Sequence, residues 1–207
     1  MAYPDLSDLR TRVRTLVNES SSSTFLTDTI LNRFLNDGER DVAIKTGCLE
    51  NIDTAATVAA TRLVQFSGIK VKSVEYANVA LQKITLKHFG HLWPGTTTPR
   101  GWTQWGGAIL IEPIPAAANT LTLVVADYPQ QEMSSDTDEP VVPSAFHEDI
   151  VQYAIFRYHL MDRKYQQASL VYNEYIKSIQ TKKAMLAAQQ PDTRIISQIP
   201  DVVGDKK

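Results

Sequence analysis

Ala108-Ile109-Leu110-Ile111-Glu112-Pro113-Ile114-Pro115, followed by an Asn119-Thr120 turn signal and Leu121-Thr122-Leu123-Val124-Val125, decides how this chain is read. Two short apolar runs, the first closed by prolines, are too brief for helices and rich in β-branched residues. They read as an antiparallel pair of strands. Outward from them, Leu63, Gln65, Ile69, Val71, Ser73, Val79, Leu81 and Lys83 fall in further short runs separated by turn residues. The stretch from Leu49 to Gln131 therefore predicts about four to six strands. Pro94 to Gly107 interrupts it with Pro94, Gly95, Pro99, Gly101, Gly106 and Gly107, beside Trp102 and Trp105. That composition predicts a long irregular loop, with Gly106-Gly107 as a turn.

On both sides of this stretch the period becomes helical. Leu6, Leu9, Val13, Leu16 and Val17 share one stripe, so a first helix is expected over Leu6 to Val17. A second begins near Thr27-Asp28, which can satisfy first-turn N–H groups, and stops at Gly47. Its face of Leu31, Phe34, Leu35 and Val42 carries Gly38. A mid-helix glycine costs about 1 kcal/mol, so another helix is expected to approach there. After the acidic boundary Ser134 to Pro140, a third helix is predicted from Ser144 to Asp162. Its apolar residues cover nearly every side, as in a central, buried helix. The fourth, from Arg163 to Ala188, aligns Ala168, Tyr172, Tyr175, Ile179 and Leu186. At about 38 Å it outruns its shorter partners, so part of it should meet another subunit. Tyr165, Tyr172, Tyr175 and Ile179 are the candidate subunit-interface residues, tyrosine being favoured at interfaces.

The expected fold is α+β: a four-helix bundle of N- and C-terminal helices, an inserted antiparallel β-rich segment and an extended C-terminal tail. The boundaries are 1–48 for the N-terminal helices, 49–133 for the insertion, 134–190 for the C-terminal helices and 191–207 for the tail.

Composition narrows the function classes. In 207 residues, 21 Lys+Arg stand against 23 Asp+Glu, a net charge of −2 that lacks the basic excess of a duplex binder. Cys48 is the single cysteine, which excludes an internal disulfide and any Cys-x-x-Cys motif. No signal peptide or membrane-length apolar run is read, so a soluble product made in cytoplasm is expected.

The candidates for chemistry are few. His88 and His91 could ligate a metal, but no cysteine or second histidine pair lies nearby to complete a zinc set. His147-Glu148-Asp149 are consecutive on a helix and point about 100° apart, which suits acids at a helix start better than acid–base work. Trp102 and Trp105 could stack sugars or bases, with core packing or an intersubunit contact the plainer reading. Tyr153, Tyr158, Tyr165, Tyr172 and Tyr175 fit either an interface or a core edge. No catalytic residue, metal or cofactor is expected.

Three stretches resemble the head–tail connector, or adaptor, proteins of tailed bacteriophages. Ile30 to Ala43, running into Thr46-Gly47-Cys48-Leu49, is similar to the family's second helix. Leu110 to Pro115 with Thr120 to Leu123 and Asp127-Tyr128-Pro129 is similar to the hairpin closing its β insert. Pro140 to Ala154 resembles the entry to its third helix. The resemblance implies a virion-neck protein: a dodecameric ring below the portal protein, helices around a channel and the β insert outward. It further implies a tail or nozzle protein on the far side and DNA passing without sequence-specific binding. In the tail, Ile195, Ile196 and Ile199 become the implied portal-interface residues. Other readings are a neck or tail-completion ring, and a module whose tryptophans bind host glycan. A cell-wall hydrolase would have to use Glu112 and Asp127, the acids near the strand pair.

Overall fold

The structure, a computed structural model, describes residues 4–90, 92–93 and 95–189. Helix α1 spans Leu6–Val17, where its apolar period places it. Asp5 caps it by accepting from the Asp8 N–H at 2.9 Å, and Asn18 ends it in the left-handed region. Helix α2 spans Asp28–Thr46 between a Thr27 cap and a left-handed Gly47. Helix α3 covers His147–Met161 after a 3₁₀ turn at Ser144–Phe146, and α4 covers Tyr165–Gln189.

Eight strands lie between α2 and α3 among the described residues: β1 Glu50–Ala56, β2 Leu63–Gln65, β3 Lys70–Tyr76, β4 Val79–Ala80, β5 Gln82–Lys83, β6 Gly101–Trp105, β7 Ala108–Glu112 and β8 Thr120–Ala126. They form two four-stranded sheets, ordered β1-β8-β3-β4 and β2-β7-β6-β5, so the fold is α+β.

Two expectations are corrected here. The runs at Ala108 and Leu121 are not partners, because β7 and β8 belong to different sheets. Both edges of β7 are already taken, one by β6 (Gly101↔Glu112 through Trp105↔Ala108) and the other by β2 (Leu63↔Leu110). Pro113 and Pro115 have no N–H to extend a ladder, and the link onward is too long for a tight hairpin. The tight turn is instead Gly106-Gly107, with Gly106 at φ 60°. The second correction is within the expected loop, where Gly101–Trp105 forms β6. Its Trp-Thr-Gln-Trp run has strand propensity that the surrounding glycines and prolines obscured. Gly101 itself is required by crowding: a Cβ there would fall 2.7 Å from the Trp93 ring.

Contacts divide the chain into two compact units. One lies within Met1–Asp53, Ser67–Lys72 and Val124–Gln189, the other within Thr54–Phe66 and Ser73–Leu123. In the first, all four helices contribute to one apolar cluster, including Leu6, Val13, Leu35, Val42, Ile150, Ala154 and Tyr175. Each fully buried Leu, Val or Ile side chain among them contributes about 1.5–3 kcal/mol. Helix α3 packs against α1, α2 and α4, as its all-round apolar composition predicts. The approach expected at Gly38 is made by α3. A Cβ at Gly38 would lie 3.1 Å from Tyr153 Cδ1 and 3.2 Å from the Ile150 carbonyl oxygen. The second unit has its own core, built from Val64, Val74, Trp102, Ile109, Ile111, Leu121 and Leu123.

Candidate functional site

The candidate interface residues sit on α4, and the structure separates them. Tyr175 and Ile179 are buried within the chain itself, Tyr172 is half-buried, and Tyr165 is 65 % exposed. The buried ones join an aromatic ladder between α3 and α4. Ring centroids lie 5.7 Å apart for Tyr153–Tyr175, 4.8 Å for Phe156–Tyr172 and 6.0 Å for Tyr172–Tyr175. The Tyr175 hydroxyl donates to Asp41 of α2, whose carboxylate also accepts from Lys45 at 2.5 and 2.6 Å. Burial first, and then that bond to Asp41, push the Tyr175 phenol far above its ordinary range. Three of the four residues thus bind α4 to its own chain.

The apolar surface that α4 leaves exposed is formed by Tyr165, Leu170 (65 %) and Met185 (59 %). Sequence reasoning missed Leu170 and Met185. Their signal was an apolar side chain off the main stripe of a helix already supplied with a core face.

Buried carboxylates fix α3 and its entry. Glu39 is almost wholly buried, and its Oε1 accepts from the Val141 N–H at 2.6 Å and the Val142 N–H at 3.3 Å. Burial raises the Glu39 pKa, and those two bonds oppose the rise. The folded value exceeds the unfolded one, so this group's stabilising contribution is full below about pH 4.5 and is lost as pH rises through the folded pKa. Glu39→Gln keeps an acceptor and removes the charge. It should flatten that part of the stability–pH curve and be no less stable at neutral pH. Glu39→Ala strands two buried N–H groups and should cost about 1–3 kcal/mol. Urea denaturation at acid and neutral pH measures both.

The His147-Glu148-Asp149 triplet disperses. His147 Nε2 lies 3.0 Å from the Val142 carbonyl oxygen, Glu148 pairs with Arg12 at 2.5 Å, and Asp149 Oδ2 accepts from Lys182 at 2.6 Å. Tyr158 donates to Glu19 at 2.9 Å, and burial together with that carboxylate pushes its phenol up to about 12. In the second unit, Glu112 accepts from the Gly90 N–H at 2.6 Å. In the first, Asp127 holds its own turn through the Tyr128 N–H and Gln130 Nε2, both at 2.8 Å. Glu112 and Asp127 are thus engaged in holding backbone N–H groups, whereas Glu148 and Asp149 pair with basic side chains.

His88 is exposed on a short 3₁₀ turn, and His91 lies outside the described residues, as do Ile195, Ile196 and Ile199. Among the described residues no group of three or more His, Cys, Asp or Glu side chains is placed to hold a metal ion. Trp102 is buried in the core of its unit, whereas Trp105 is 64 % exposed. No described helix is long and apolar enough to cross a membrane.

A protein-family model described as "SU10 adaptor protein" matches residues 4–197. No curated protein matches the chain.

Proposed function

The chain belongs to the SU10 adaptor protein family, and on that premise we propose that it is a structural head-to-tail adaptor of a tailed-phage virion. The observation that carries this is the extent of the match, which spans both compact units from residue 4 to residue 197. In this reading copies of the chain form a ring, a dodecamer, that docks on the portal protein and receives a tail or nozzle protein. The helices act as a four-helix bundle around a channel for DNA, the β-rich part faces outward, and the protein resides in the virion neck without catalytic activity. A net charge of −2 suits a conduit, since a strongly basic lumen would retard passing DNA.

Subunit contact is assigned to the outward side of α4 around Leu170 and Met185, with Tyr165 exposed separately at the start of the helix. Tyr172, Tyr175 and Ile179 serve it indirectly, by holding that helix in place. The segment 191–207 reaches the portal, with Ile195, Ile196 and Ile199 as apolar anchors.

The test is native mass measurement and negative-stain imaging of the purified chain, alone and with purified portal. A monomer that becomes a ring on portal is expected, and failure to co-assemble overturns the adaptor reading. Truncation after Gln190 should abolish portal binding while leaving the urea-denaturation midpoint unchanged. Unchanged portal binding removes the tail from the interface.

A further inference from the structure

The core-facing stripe of α4 runs Ala168, Tyr172, Tyr175 and Ile179, and its next helical positions are Lys182 and Leu186. Up to Ile179 the helix is held by apolar burial and the aromatic ladder. Beyond it the attachment changes in kind. Leu186 is partly buried against the core, Met185 faces outward, and the inward position carries a lysine. Lys182 Nζ donates to Asp149 Oδ2 at 2.6 Å and lies 5.8 Å from the Phe146 ring centroid. Lys183 Nζ donates to the Lys45 carbonyl oxygen at 2.7 Å. Asp149 has no solvent exposure, and its second oxygen, Oδ1, has no hydrogen-bond partner.

A buried ion pair offsets its own desolvation only when the remaining lone pairs are also satisfied. Asp149 leaves one oxygen unfilled, so closing these turns gains little net free energy. The Lys182 side chain already keeps 27 % exposure, so opening admits water chiefly to the Asp149 carboxylate and recovers much of what separation loses. An apolar pair at the same positions would have no such compensation on opening. The geometry points to an ionic latch: residues 180–189 of α4 dock and undock as a unit, separately from residues 165–179.

The use of such a latch rests on the adaptor reading above, in which the segment after residue 190 reaches a partner. Ten helical residues span about 15 Å, and the same ten extended span about 33 Å. Undocked, so short a helical stretch loses the packing that sustains it, and its unwinding would lengthen the reach of that segment by roughly 18 Å.

Hydrogen exchange read by mass spectrometry on the full chain, without any partner, tests the latch independently of the adaptor reading. Amides of 180–189 should exchange about tenfold or more faster than those of 168–179, as expected for a separate low-stability unit. Added salt should widen that gap, since it screens the pair once partly open. Lys182→Gln should accelerate exchange in 180–189 and leave 168–179 unchanged. The apolar double variant Asp149→Leu/Lys182→Met should slow 180–189 towards the level of 168–179. If Lys182→Gln fails to fold, the salt series and the double variant still decide. Equal protection on both sides of Ile179 in the native chain overturns the proposal, as does a double variant that leaves 180–189 unchanged.

Discussion

Trp102→Ala is expected to cost the second unit about 3–5 kcal/mol, the range for truncating a buried large aromatic side chain. Trp102 is 1 % exposed, stands opposite Ile111 in the β6–β7 ladder, and has Lys83 Nζ 5.0 Å from its ring centroid. The surrounding strands are short and pinned on both sides of β7, so they cannot collapse into the space left behind. Chemical denaturation should show an earlier transition for this unit, with the far-UV helical signal of the first unit changing separately. Trp105→Ala, on the exposed face, should stay within about 0.5 kcal/mol of the parent. The two variants also distinguish a structural from a sugar-binding role. Glycan-array binding by the parent that Trp105→Ala abolishes would favour a host-glycan module. A parent-like midpoint for Trp102→Ala would remove that residue from the core.

The second large effect is expected at Gly38. Gly38→Ala gains about 1 kcal/mol of helix propensity but places a Cβ at 3.1–3.2 Å from Tyr153 and the Ile150 carbonyl oxygen. The ring can yield slightly, so the net change should be small. Gly38→Leu needs further volume in the same gap, where the Ile150 oxygen is backbone of the most enclosed helix. Its cost should reach about 3 kcal/mol, the upper end for overpacking. Urea denaturation followed at a helical wavelength measures it. A loss under about 1 kcal/mol would mean that α2 and α3 are not as closely seated as the geometry requires.

The helical elements were legible because their signals are local. Thr27 caps and Gly47 terminates α2, and the 3.6-residue period that marks α1 and α2 needs no knowledge of the rest of the chain. Gly38 even announced its neighbour. Strand pairing is not local, and there the reading failed. Adjacent runs at β7 and β8 suggested partnership, whereas the sheets pair β7 with β6 and β2. β4 and β5, at two residues each, are too short to display any period. For the candidate site, the α4 stripe correctly grouped Tyr172, Tyr175 and Ile179 on one face. A period tells which residues share a face, but not what covers it, and here α2 and α3 do. The Asp149–Lys182 pair joins residues 33 positions apart, a relation no local pattern contains.

The bond from the Val141 N–H to Glu39 joins positions 102 apart, and α3 completes a core that α1 and α2 begin. On a translating ribosome those two helices emerge first and wait roughly 100 residues for α3. At about 5–20 residues per second the wait is on the order of 5–20 s. Through that interval Leu31, Phe34 and Leu35 have no α3 to cover them, and the nascent chain presents the same apolar face that later seats it. Transiently exposed apolar surface of this kind is prone to aggregation. Moving α3 and α4 ahead of the strands by circular permutation should shorten the exposure and raise the soluble yield.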